Sequence, residues 1–146
     1  MFTKLNRRFQ SGLAAVETLF ILPVLIILFA GVLEIGRILI HYTTLNKSLQ
    51  NAVRFSVIDT YGTERLSTIA EVDDIKEAVI YGGNGSSNLI LPGISVNDVS
   101  VDDLSDPKFV VVSAEYSYVP IFAAIPFTGT SMDIKLNASS VMRISP

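Results

Sequence analysis

Residues 13–33 read LAAVETLFILPVLIILFAGVL, an apolar run of 21 residues with one ionisable side chain, Glu17. Coiled as an α-helix, that run is about 30 Å long, the thickness of a bilayer's hydrocarbon core. A helix able to span a membrane is therefore what the rest of the fold must accommodate. Only 17% of the residues are charged, where an average soluble protein has roughly 25%. Ahead of the run stand Lys4, Arg7 and Arg8 with no acidic residue, which under the positive-inside bias puts the N-terminus in the cytoplasm and the remainder outside. A secretory signal peptide shares this layout, but no small-residue cleavage site follows the run. The run also continues unbroken into an amphipathic stretch, so retention in the membrane is expected.

Several chemistries are excluded by what the chain lacks. With no cysteine, it can build neither a disulfide framework, nor a thiolate zinc site, nor a cysteine nucleophile. The single histidine, His41, leaves no histidine triad partner to spare and no histidine-cysteine metal set. No phosphate-binding loop and no nucleophile elbow is present, so neither an enzyme nor a cofactor is expected. Loss of residues 1–12 would leave 8 basic against 14 acidic side chains, a balance that argues against nucleic acid as a partner. Asp98, Asp102, Asp103 and Asp106 could supply oxygen to calcium, but their spacing departs from an EF-hand loop. A solvated acidic loop, and no metal, is the expectation there.

Beyond residue 33 the greasy run becomes one-sided. Ile35, Ile38, Tyr42, Leu45, Leu49 and Ala52 follow steps of three and four, one stripe of a helix; Arg37, Asn46, Lys47, Gln50 and Asn51 lie off it. One long helix from about residue 13 to about 58 is predicted, bent or loosened at Pro23, which removes a backbone donor. Residues 63–80 read as one broken helix or two short ones, with Asp73 as N-cap and Gly82-Gly83 as the stop. Residues 82–88, GGNGSSN, form a flexible loop by composition. From Leu89 onwards the period is nearer two, which predicts strands over residues 99–104, 109–119 and 132–144, with turns near 105–107 and 128–129. Three strands without intervening helices favour an antiparallel meander, one face on the amphipathic half of the long helix. The fold class is α+β. The apolar stretch 121–127, IFAAIPF, is either core over the helix, the favoured reading, or a docking patch for another subunit.

Glu17 needs an explanation, because a carboxylate in a membrane helix costs about 2.5 to 3.5 kcal/mol at the centre and less near an end. It either lies at headgroup level, is protonated, or meets a cation delivered by another molecule. A second polar cluster, Glu34, Arg37 and His41, follows spacings of three and four. Glu34 and Arg37 can pair at the membrane boundary, and His41 is expected to be interfacial with one end wet.

Gly12-Leu13-Ala14-Ala15-Val16-Glu17 resembles the processing site of prepilin-like proteins, with a glycine before the cut and a glutamate fifth after it. The longer stretch of residues 12–37, GLAAVETLFILPVLIILFAGVLEIGR, resembles the N-terminal region of TadE-like proteins, minor pilins of the tight-adherence (Flp) pilus systems. Glu17, Leu22, Pro23, Glu34, Gly36 and Arg37 fill the places that carry the likeness; over the rest of the chain only the general layout agrees.

The resemblance implies a basic leader over residues 1–12, cleavage between Gly12 and Leu13 by a prepilin peptidase, and a transmembrane segment over 13–40. An extracytoplasmic α+β domain would occupy 41–146, with the helix continuing to about 58. It gives Glu17 a role in subunit assembly, neutralising the new amine of a neighbour's Leu13, a pairing that fixes register more than it stabilises. It also implies residence in the bacterial inner membrane with the C-terminal domain periplasmic. The expected partners are the lipid bilayer, the peptidase, other minor pilins and pilus subunits, and the inner-membrane pilus platform, in the service of surface adhesion. The rival expectation is a periplasmic binding or sensing domain held by an uncleaved signal anchor, with Glu17 incidental.

Overall fold

The computed structural model describes residues 5–58, 70–83, 87–102, 109–121, 131 and 133–143. The element order is a 54-residue helix α1 (Leu5–Ile58), a short helix α2 (Val72–Tyr81), a 3-10 turn over Val96–Asp98, then strands β1 (Val99–Asp102), β2 (Phe109–Tyr118) and β3 (Ile134–Arg143). Two compact units divide the chain, residues 1–37 and residues 38–146. The fold is α+β, with the antiparallel meander expected from the period-two pattern.

In the first unit α1 passes through Pro23 without interruption. From Leu13 to Leu33 its large apolar side chains face outwards: Leu19, Phe20, Val24, Phe29 and Leu33 are all more than half exposed. The helix is long and apolar enough to cross a membrane.

In the second unit the same helix turns its apolar residues inwards. Leu45, Leu49, Ala52, Val53 and Val57 are buried in one core with Ile75, Val79 and Ile80 of α2 and with Val110, Val112, Ala114, Tyr116 and Leu136 of the sheet. Burying a leucine or valine fully is worth about 1.5 to 3 kcal/mol, so this shared face is what gives the unit its stability. The predicted stripe is correct at Leu45, Leu49 and Ala52 and displaced at its start. Ile35 and Tyr42 are exposed, while Glu34, His41, Ser48 and Ser56 are buried. Within the second unit the displacement reflects His41 and Ser48, which find partners inside at Tyr116 and Val79 O, where hydrophobic pattern alone assigns them to water.

The sheet is ordered β1-β2-β3 with both pairs antiparallel. Alternation along β2 sends Val110, Val112, Ala114, Tyr116 and Tyr118 into the core. Register carries the inner rows across to Val99 and Val101 on β1 and to Met142, Ala138, Leu136 and Ile134 on β3. A one-residue slip would turn all of them to solvent. The opposite face is polar in its middle, where Ser100, Ser113 and Ser139 form a row across all three strands, and carries Phe109, Val111 and Val141 towards one end.

Helix α2 starts one residue before Asp73. Glu71 is its N-cap without a side-chain capping bond, and Asp73 and Asp74 stand in the first turn, where their charge favours the positive end of the helix dipole. The expected stop is in place: Gly82 and Gly83 have φ of 78° and 76°, the left-handed region that glycine enters without penalty. The carbonyls freed at this end are satisfied from elsewhere. Ser48 Oγ on α1 donates to Val79 O, and Ile90 N donates to Ile80 O at 2.9 Å. The expected helical segment at 63–69 and the turns at 105–107 and 128–129 lie outside the described residues.

Candidate functional site

The sequence directs attention to Gly12, Leu13 and Glu17, all on α1 and all exposed. Leu13 is 72% exposed, and a Cβ added at Gly12 would meet nothing within 4 Å. Glu17 lies four residues after Leu13, one turn further along and on the same side of the helix. The next residue, Thr18, returns its hydroxyl to Ala14 O at 2.9 Å, a helix-internal bond that keeps its polar group from the apolar surroundings. The segment thus offers an exposed Gly12–Leu13 pair and a carboxylate about 6 Å further along the axis, on a helix whose other side chains from Leu13 to Leu33 are, Thr18 apart, apolar.

Glu34 and Arg37 sit at the far end of the apolar run. Glu34 is almost completely buried, at 1% exposure, and Arg37 is half-buried. Both are engaged in polar or electrostatic interactions. His41 is more enclosed than an interfacial residue with one end wet, at 9% exposure. Its Nδ1 is 3.4 Å from the hydroxyl of Tyr116, which donates to Pro92 O at 2.9 Å. Its ring meets Tyr118 edge-on at a centroid distance of 5.2 Å. With the tyrosine proton committed to Pro92, Nδ1 is the donor to the tyrosine oxygen. This His41–Tyr116–Pro92 chain escaped the sequence reading. The available signal was the alternation of Tyr116 and Tyr118 with polar residues, which put both hydroxyls on the core face where partners are needed.

The acidic group before Pro107 does not form a described ligand set. Asp98 caps the 3-10 turn, its Oδ2 accepting from Ser95 N at 2.8 Å and Ser95 Oγ at 2.9 Å; Asp103 and Asp106 lie outside the described residues. Among the described residues no three acidic, histidine or cysteine side chains converge. Two shallow depressions mark unit 2. One, of about 500 Å³, is lined by Phe55, Asp74, Glu77 and Tyr81, and the other, of about 590 Å³, lies over the serine row of the outer sheet face. Of the apolar stretch 121–127 only Ile121 is described, and it is exposed.

Residues 12–54 match the family described as TadE-like protein. The match begins at the glycine of the proposed processing site and ends within the buried half of α1. No curated protein matches the chain. No solved structure matches it.

Proposed function

With residues 12–54 TadE-like, we propose that this chain is a minor pilin of a tight-adherence pilus, working by assembly and not by chemistry. It enters the bacterial inner membrane with residues 1–12 in the cytoplasm, residues 13–40 across the bilayer and residues 41–146 in the periplasm. A prepilin peptidase then cuts after Gly12. The cut removes Lys4, Arg7 and Arg8, the basic anchor, and leaves a positive amine on Leu13. Glu17 of an adjacent subunit neutralises that amine. In a low-dielectric layer an amine without a carboxylate is costly, so only subunits in register associate. Glu34 and Arg37 pair at the membrane boundary, and the pilus platform and other minor pilins receive the processed subunit for a role in surface adhesion.

The observation that carries this reading is the exposed carboxylate of Glu17, one turn beyond Leu13 on an otherwise apolar surface of bilayer length. The test is the mature N-terminus, read by intact mass and N-terminal peptide mapping of protein from membranes of a strain with its own peptidase. A chain beginning at Leu13 supports the proposal, and Glu17→Ala should then be processed normally yet fail to assemble. A chain still beginning at Met1 removes the amine and favours a periplasmic binding or sensing domain on an uncleaved anchor.

A further inference from the structure

The outer face of the sheet changes character towards one end. Residues opposite one another in an antiparallel pair share a face, as do residues two apart on one strand. Register sets Asp102 of β1, Val111 of β2 and Val141 of β3 in one row, and Phe109 and Arg143 in the next. The five therefore form one patch, fixed within the sheet itself. Phe109 is 39% and Val141 58% exposed, Val111 is half-buried, and both charged side chains are exposed. A phenylalanine beside two paired valines on the solvent side of a sheet marks a surface made to be covered. Elsewhere this face is serine, Asn137 and the bonded pair Lys135–Glu115.

What covers it follows from how charge is laid across the patch. The apolar middle lies on β2, with the acid on β1 to one side and the base on β3 to the other. Arg143 has no ion pair among the described residues, and two strand spacings, about 10 Å, part it from Asp102. A half-turn about an axis along β2 lays β1 of one copy over β3 of another. It brings Asp102 of each copy to Arg143 of the other, while Phe109 and Val111 meet their own counterparts on the axis. An axis across the strands would instead set acid over acid and base over base. We propose that this end of the outer face is a two-fold docking surface for a second copy of this chain, packed sheet on sheet. The neighbouring serine row is small enough to let the two faces approach. The ion pairs lie at the rim, where they select the partner and its orientation more than they add affinity. The apolar centre is small, so the contact works between copies already held close together. The inference concerns residues 38–146 alone and does not rest on the pilin reading.

The chain has no cysteine, so Gln50→Cys, exposed on α1, can carry a donor fluorophore in one sample and an acceptor in another. Energy transfer is measured in full-length protein in detergent, at rising ratios of protein to detergent. Arg143→Glu alone and Asp102→Arg alone should each lower transfer several-fold. An equal mixture, with donor on one variant and acceptor on the other, should recover the parent value, because both ion pairs re-form in the mixed pair. Val141→Ser, which changes no charge, should also lower transfer, with the melting temperature unchanged. A mixture as low as the single variants overturns the surface, and so does a parent that shows no transfer at the highest ratio or whose transfer neither reversal lowers. Should a reversal disturb the fold, Val141→Ser decides, and transfer equal to the parent's overturns the proposal. Strong quenching of a fluorophore at Val141→Cys by nitroxide-labelled phosphatidylcholine, at one copy per vesicle, also overturns it, because lipid is then the cover.

Discussion

Helix α1 is one helix with two chemistries. Between Leu13 and Leu33 its leucines, isoleucines and phenylalanines project outwards, whereas between Leu45 and Val57 apolar residues of the same kinds are sealed in a core. Helix geometry is the same in both halves, so the difference lies in the surroundings. The N-terminal half is apolar on all sides and needs an apolar solvent. The C-terminal half is apolar on one side and makes its own apolar environment from α2 and the sheet. Where a leucine's neighbours come from decides what its removal costs.

That contrast can be broken most strongly at Leu45. Leu45→Ala leaves a cavity in a closed core and should destabilise unit 2 by about 2 to 5 kcal/mol, while Leu25→Ala in the exposed half should leave the unit's melting unchanged. Thermal unfolding of both variants in the same detergent, followed by near-ultraviolet tyrosine signals, checks the pair. Equal effects would mean that the halves are not distinct. A smaller effect is expected at Ser48, the buried polar group that ties α1 to α2. Ser48→Ala strips Val79 O of this donor and should cost about 1 to 3 kcal/mol, seen as faster amide exchange at the end of α2 and not in the span. The smallest belongs to the surface pair Lys135–Glu115. The hydrogen bond to Glu115, and then its charge, raise the Lys135 pKa above the ordinary 10.5. Because the folded pKa is the raised one, any stabilisation is complete below the unfolded value and is lost as pH climbs through the folded value. Lys135→Met should therefore be slightly less stable than the parent at neutral pH, least so in high salt, and the two should converge as pH climbs through the raised lysine value.

The helix, the strands and the glycine stop were legible because each rests on a periodic or local signal: an unbroken apolar run, alternation along residues 109–118, and two glycines at positive φ. The inward line of α1 was legible only where it is apolar. Glu34, His41 and Ser48 recur at steps of seven, and Ser56 follows one residue late; all four are buried. A hydrophobic template discards such residues, so it shifted the start of the stripe to Ile35 and Tyr42. The partners that justify their burial, Tyr116 for His41 and the end of α2 for Ser48, are distant in sequence and leave no local trace. Gly12, Leu13 and Glu17 were found by their order in the chain, since in space they are simply exposed positions on α1.

The polar line through unit 2 also bears on force. Apolar side chains in a helix seat can slide past one another with gradual loss, but the bonds of His41 to Tyr116 and of Ser48 to Val79 O are directional. A pull along α1 that moved it by a single residue, about 1.5 Å, would stretch both bonds out of hydrogen-bond range inside the core. Slippage within the second unit is thus opposed at its first step, and the stretch of α1 from residue 38 onwards carries load together with the sheet it packs on.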